Sequence, residues 1–134
     1  MASARRLLIQ TGALRLAIDV AQVREIAAMP ELTSLPNGPA AALGLAMLRG
    51  ELTPVIDLAR LVDPAAASIT PTRIVSLVSP AAALAVERVD ALEMAQDDAA
   101  CSLQIDGQAR PYDLTRALVQ CFEDAWRQTR ATAS

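Results

Sequence analysis

The 134-residue chain has no histidine and no lysine. Without His it lacks the usual proton shuttle near neutral pH, the base of the common serine and cysteine nucleophile arrangements, and most zinc ligand sets. Without Lys it has no amine to act as a substitute base or to form a Schiff base. Aromatic side chains are almost missing as well: Tyr112, Phe122 and Trp126, all toward the C-terminal end, leave Leu, Val, Ile and Ala to fill a core. Cys101 and Cys121 are too few and too far apart for a redox CxxC pair or a metal knuckle, and they read as reduced, mostly buried thiols. Long hydrophobic runs are absent, because Arg, Asp or Pro interrupts each apolar stretch well short of the ~20 residues a membrane span needs. Behind Arg5 and Arg6 the apolar run Leu7-Leu8-Ile9 ends at once in Gln10-Thr11-Gly12, so no secretory leader is expected and the reading is cytoplasmic.

What is present points to a folded domain. Apolar residues make up 53% of the chain and the mean hydropathy is +0.30. The 12 Arg are outnumbered by 15 acidic residues, for a net charge of −3, so no basic surface overall is available to replace phosphate counterions and nucleic acid is not an expected partner. The length suits one ordinary domain or two small modules that share a core.

Alternation dominates the first two thirds. Residues 5–11 and 13–18 read as strands joined at Gly12, with Leu14, Leu16 and Ile18 on one face. Asp19 then caps a single helical turn, and Val23-Arg24-Glu25-Ile26 resumes an extended run in which Arg24 and Glu25 point to opposite faces. Pro30, Pro36, Asn37, Gly38 and Pro39 punctuate a connection, and Pro39 suits the first position of a short helix ending near Gly44. Leu45–Leu48 and Leu52–Ile56 are two more short strands, with Pro54 placed at an edge, bulge or rim because it cannot donate to a ladder. Asp57 caps a brief helix over 58–62, and residues 64–71 form the best linker candidate.

Beyond the linker, 73–78 and 82–86 read as a hairpin around Ser79-Pro80-Ala81, and 89–94 as a further strand. Gln96-Asp97-Asp98 reads as a solvated turn, and Asp106-Gly107 as a hairpin turn between 102–105 and 109–112. The period then changes: Leu114, Ala117, Leu118, Cys121, Phe122 and Ala125 recur at helical spacing behind Asp113, with Glu123 and Arg127 paired outside, which predicts a helix over 114–129. The chain also echoes itself loosely, Leu16-Ala17-Ile18-Asp19 in Leu84-Ala85-Val86-Glu87 and Asp57–Val62 in Asp113–Leu118, as two half-copies of one plan would.

Chemistry has little to work with. Asp19, Glu25, Glu51, Asp57, Glu87, Asp90, Glu93 and Asp113 are scattered singly at strand ends and caps, and the glycines never cluster into a phosphate-cradling loop. No catalytic group, metal site or cofactor is expected. The informative stretch is 43–58, where Arg49-Gly50 interrupts an apolar run. Arg49 there lies either at a solvated edge or in an ion pair, with Glu25 as its plausible partner and Gly50 permitting a bulge or a close backbone approach.

Leu43-Gly44, Leu48-Arg49-Gly50-Glu51 and Pro54-Val55-Ile56-Asp57-Leu58, with Val23-Arg24-Glu25-Ile26 and Leu32–Pro36 upstream, resemble the central signature of the CheW-like family of bacterial chemotaxis coupling proteins. The likeness covers residues 6–120 as a single domain and is most specific over 23–58. It implies a mainly β fold of two SH3-like five-stranded barrels, a first at 13–63 and a shortened second at 72–113, joined by the 64–71 linker and followed by the C-terminal helix. It implies an adaptor without catalytic activity, bridging the cytoplasmic tip of a chemoreceptor and the regulatory domain of a CheA-type histidine kinase. It involves no direct membrane insertion and is compatible with self-association. An assembly or localisation factor of the same fold with other protein partners, serving a gliding or pilus-type system or acting as a single-partner scaffold, is the alternative. Carried onto this chain, the resemblance makes Arg49 the receptor-contact or groove-organising position and Glu25 its matching acid, with Leu48, Gly50 and Glu51 beside them at the partner-binding surface. Val55, Ile56 and Leu58 match core positions of the family, and Ile18 and Ile26 are expected in the core with them. Met47 departs from the pattern, since many relatives have Asn there.

Overall fold

Short alternating segments with breakers between them can satisfy their backbone only by pairing into sheets. In the computed structural model, which describes residues 5–34, 40–66, 70–94, 101–105 and 108–133 (backbone alone for 91–94 and 125–133), they do so as ten strands and two helices. In chain order these are β1 (Arg5–Thr11), β2 (Leu14–Asp19), a 3-10 turn (Val20–Gln22), β3 (Val23–Ala28), β4 (Ala42–Leu48), β5 (Glu51–Asp57), α1 (Leu58–Val62), β6 (Arg73–Leu77), β7 (Ala83–Val86), β8 (Arg88–Met94), β9 (Cys101–Ile105), β10 (Gln108–Pro111) and α2 (Leu114–Ala133). The expected turns at Gln96-Asp97-Asp98 and Asp106-Gly107 lie outside the described residues, as do Pro36 to Pro39, the middle of the 64–71 linker and the side chains of Trp126 and Arg127.

The strands form two five-stranded sheets. The first, in the order β10-β9-β2-β1-β8, is antiparallel throughout. The second, β3-β6-β7-β5-β4, contains one parallel pair, β5 with β7. This division differs from the expected units at 13–63 and 72–113: the first sheet takes β1 and β2 from the front of the chain and β8 to β10 from the back, and the second takes the middle. A lone β1–β2 hairpin would be marginal in water, and the returning strands supply the neighbours that make it a sheet. The two strand orders are also unlike each other, so the sequence echoes do not correspond to two copies of one topology. The end strands of neither sheet pair with each other by a ladder among the described residues. In the second sheet the segment that follows β3 is bridged to β4 by a pair of backbone hydrogen bonds between Thr33 and Leu45, each 2.8 Å.

One core joins both sheets and both helices. Leu7, Ile9, Leu16, Ile18 and Leu103 of the first sheet meet Ile56, Val75, Leu77, Leu84 and Val86 of the second, with Leu58 of α1 and Leu114 and Leu118 of α2 closing the cluster. The opposite face of the second sheet buries Ala46, Val55, Ile74, Ala83 and Ala85. Strand β7 is therefore covered on both faces, which is why Ala83-Leu84-Ala85-Val86 is uninterruptedly apolar.

Local signals explain the boundaries. Asp57, itself buried, accepts from the Ala59 N–H at 3.0 Å and the Arg60 N–H at 3.5 Å at the start of α1. Asp19 accepts from the Ala21 N–H and Asp113 from the Arg116 N–H. Pro54 sits where β5 is paired with β4 but not yet with β7, whose ladder begins at Val55, so its missing N–H costs nothing.

Two local expectations also fail. The helix predicted after Pro39 is instead a turn at 40–41 followed by β4, because the alternation from Leu43 to Met47 finds a full antiparallel partner in β5. Gly44 does not end a helix. It lies at a bulge in β4, where a Cβ would meet the Thr33 carbonyl oxygen at 2.6 Å. Ile26, expected in the core, is 46% exposed. Beyond Arg24, period two along β3 half-buries Glu25 and Ala27 and turns Ile26 and Ala28 outward.

Candidate functional site

The hairpin between β4 and β5 turns in two residues, Arg49 and Gly50, with Leu48 opposite Glu51. Such a loop matches the twist of its strands when both central residues have positive φ, and here φ is 50° at Arg49 and 79° at Gly50. Gly50 supplies that conformation freely. Its Cβ position faces open space, so the glycine answers to the turn and not to the bulge or close backbone approach the sequence allowed. Arg49 holds its conformation at a cost of about 1–2 kcal/mol.

Strand β3 brings the partner acid. Its register against β6 shifts between Val23 and Glu25, so Arg24 is the extra residue of a β-bulge. A bulge bends the strand and re-aims its side chains. Arg24 and Glu25 consequently both reach the same hairpin: Arg49 Nε lies 3.3 Å from Glu25 Oε2, and Arg24 Nη1 lies 3.6 Å from Glu51 Oε2. The Glu25 backbone carbonyl also accepts from Ser76 Oγ at 3.4 Å.

The Arg49 side chain is 61% exposed and that of Glu25 26%. The pair is a single-contact surface bridge, worth at most about 1 kcal/mol, and not the desolvated pair whose loss would be felt structurally. Its charges are held in place yet remain available to a partner. Arg24, Glu25, Leu48, Arg49 and Glu51 line one shallow groove with Ser76. On the outer face of the same hairpin Met47 and Leu52 stand directly opposite each other, 65% and 61% exposed. Ile26 adds a third exposed aliphatic on β3.

Four of the expected contact residues, Glu25, Leu48, Arg49 and Glu51, are thus brought together, with Gly50 completing the turn between them. Of the expected core positions, Ile18, Val55, Ile56 and Leu58 are fully buried and Ile26 is not. Arg24 joins the groove without having been expected there. Its position depends on the bulge, for which the sequence carries no signal. The exposure of Met47, Leu52 and Ile26 is legible only as alternation, once the register is known.

Several other carboxylates have structural partners. Asp19, Asp57 and Asp113 cap helical turns, Glu87 accepts from the Gly12 N–H, and Asp90 pairs with Arg88 at 2.7 Å. Cys101 and Cys121 are free thiols. Burial pushes the Cys101 thiol up to about 12, with Arg6 opposing and Asp113 adding to the shift, and burial followed by Asp124 raises Cys121. Neither has the lowered pKa of a nucleophile. Among the described residues no group of three or more His, Cys, Asp or Glu could hold a metal ion, and no helix is long and apolar enough to cross a membrane. The arrangement is one of surface contacts, flat and mixed in charge.

Comparison with known proteins bears on the fold and the family. No curated protein sequence matches the chain. Among solved structures, the scaffolding protein TtCheW from Thermoanaerobacter tengcongensis is similar, with a TM-score of 0.62 and 21% identity over 72% of this chain. This chain covers 65% of the length of TtCheW, and at that identity the likeness concerns the fold. The family profile described as the CheW-like domain matches residues 5–117, which include both sheets, the Arg49 hairpin and the start of α2, and the chain belongs to the CheW-like family.

Proposed function

We propose that this chain is a non-enzymatic adaptor that couples the cytoplasmic tip of a chemoreceptor to the regulatory domain of a CheA-type histidine kinase, recruited in the cytoplasm to a receptor array. The observation that carries the reading is the Glu25–Arg49 pair, displayed on a two-residue turn whose backbone favours glycine at both positions. An arginine kept at such a position against its own conformational preference is best explained by what it meets outside the chain. The similarity to a protein described as a scaffold supports the same direction. The backbone bridge from Thr33, after β3, to Leu45 of β4, with the ion pairs from β3 to the β4–β5 hairpin, supports reading the second sheet as the wall of a small SH3-like barrel, with the contact groove at its rim.

In this mechanism the charged groove and the exposed aliphatics Ile26, Met47 and Leu52 receive the receptor's helical hairpin, while other faces pair with the kinase domain. Each contact is weak alone and is reinforced by the array's multivalency. Titration calorimetry of the protein with a receptor-tip fragment and, separately, with the kinase regulatory domain tests this directly. Arg49→Glu is expected to weaken receptor binding at least about tenfold, or about 1.4 kcal/mol, while kinase binding persists. Unchanged receptor binding in that variant removes the site assignment and favours an assembly or localisation factor with other partners.

A further inference from the structure

The two sheets are covalently joined at two short crossings. One is the 3-10 turn Val20–Gln22 between β2 and β3, and the other is a single residue, Glu87, between β7 and β8. Glu87 is gripped from both sides. Its carboxylate accepts the Gly12 N–H in the β1–β2 turn of the first sheet, and its backbone carbonyl accepts Thr72 Oγ1 at 2.5 Å, immediately before β6 of the second sheet. The Thr72 N–H also donates to the Val86 carbonyl at 3.0 Å. Next to it, Arg88 Nη2 donates to Gln10 Oε1 at 2.7 Å and Arg88 Nε pairs with Asp90. The other crossing is held as well, by Asp19 on the Ala21 N–H and by the Val78 N–H on the Gln22 carbonyl.

We propose that Glu87 is a positioning residue that fixes the angle between the two sheets, its carboxylate clamping the first sheet and its carbonyl the second. The shared apolar core holds the sheets together, but apolar burial is non-directional and tolerates small rotations of one layer on the other. Hydrogen bonds of defined geometry at a one-residue crossing do not tolerate them. A protein whose two faces serve different partners, as the adaptor reading has it, needs that angle held, and neither Glu87 nor Thr72 lines the groove, so the clamp can be tested without substituting a groove residue.

The test places spin labels on the full chain through Arg15→Cys in β2 and Ala28→Cys in β3, both exposed, in a Cys121→Ser background with the buried Cys101 left in place. Distances are read by double electron–electron resonance, with circular dichroism to check folding. The parent is expected to give one narrow distribution. Glu87→Ala and Thr72→Val should each broaden it roughly twofold, as expected when a local constraint is released without global unfolding. Glu87→Gln, which keeps an acceptor oxygen, should leave it narrow. A distribution as narrow as the parent's in Glu87→Ala overturns the proposal, and so does equal broadening in Glu87→Gln and Glu87→Ala. If Glu87→Ala does not fold, Thr72→Val decides alone by the same criterion. No partner enters the measurement, so its failure is separate from any failure of the adaptor reading.

Discussion

The two ends of β5 serve different purposes. At its C-terminal end Val55, Ile56 and Asp57 are buried, the first two in the clusters on either face of the second sheet, and Asp57 caps the helix that follows. At its N-terminal end, four residues away, Glu51 and Leu52 are exposed beside the positive-φ turn. One seven-residue strand thus anchors the fold at one end and presents a contact surface at the other. The rigid end determines where the displayed end points, so the surface can be rich in side chains that contribute little to stability.

That contrast should be visible in denaturant. Ile56→Ala removes a fully buried side chain from the shared core and is expected to cost about 2–5 kcal/mol. Leu52→Ala, of comparable size but 61% exposed, should stay within about 0.5 kcal/mol of the parent. Urea unfolding of the two variants measures both. If Leu52→Ala costs as much as Ile56→Ala, the exposed end is structural and the comparison collapses.

The two glycines of the β4–β5 hairpin sharpen it further. A methyl group on Gly44 would sit 2.6 Å from a backbone oxygen of the 29–34 segment, which cannot move aside as a side-chain tip could. Gly44→Ala is therefore expected to destabilise by about 1–3 kcal/mol through overpacking. At Gly50 a methyl meets nothing, and only the φ of 79° resists it, so Gly50→Ala should cost about 1 kcal/mol. Thermal melts of the pair should rank Gly44→Ala below Gly50→Ala. The reverse order would mean that the turn, and not the bulge, fixes the second sheet's edge.

Much of this architecture can be read from residue patterns, for reasons that also explain what cannot. Caps at Asp19, Asp57 and Asp113 are local, since an acceptor side chain meets N–H groups two or three residues on, and short spacing in sequence is enough to find it. The helical period from Leu114 is local in the same sense, although α2 runs on to Ala133, past the predicted end at 129. The pairing of β1 and β2 with β8 and β9 joins segments more than 70 residues apart, and alternation within a strand says nothing about which strand lies beside it. Within the site, the Arg49–Glu25 pair is inferable from two lone charges among apolar neighbours. The outward turn of Ile26 is hidden, because an isoleucine in an apolar run suggests the core until its face is counted. The arrival of Arg24 at the same hairpin needs the β3 bulge, and a single inserted residue has no compositional mark.

The smallest expected effect is also the one that separates stability from display at a single residue. Arg49→Asn sets two changes against each other. The left-handed conformation, which costs Arg about 1–2 kcal/mol, is much more readily adopted by Asn, whose short polar side chain can bond locally. The exposed bridge to Glu25, worth about 0.2–1 kcal/mol, is lost. These nearly cancel, so the variant should unfold within about 0.5 kcal/mol of the parent, on the stabilised side if backbone relief outweighs the lost bridge. If the adaptor reading holds, receptor-fragment binding should nonetheless fall, less steeply than expected for Arg49→Glu, because Asn removes the charge without reversing it. A variant destabilised by well over about 1 kcal/mol would show that the bridge holds β3 against the hairpin and that Arg49 is kept for the fold. A stable variant that binds receptor poorly would show the opposite, that the chain carries an unfavourable backbone conformation at Arg49 for the sake of its partner.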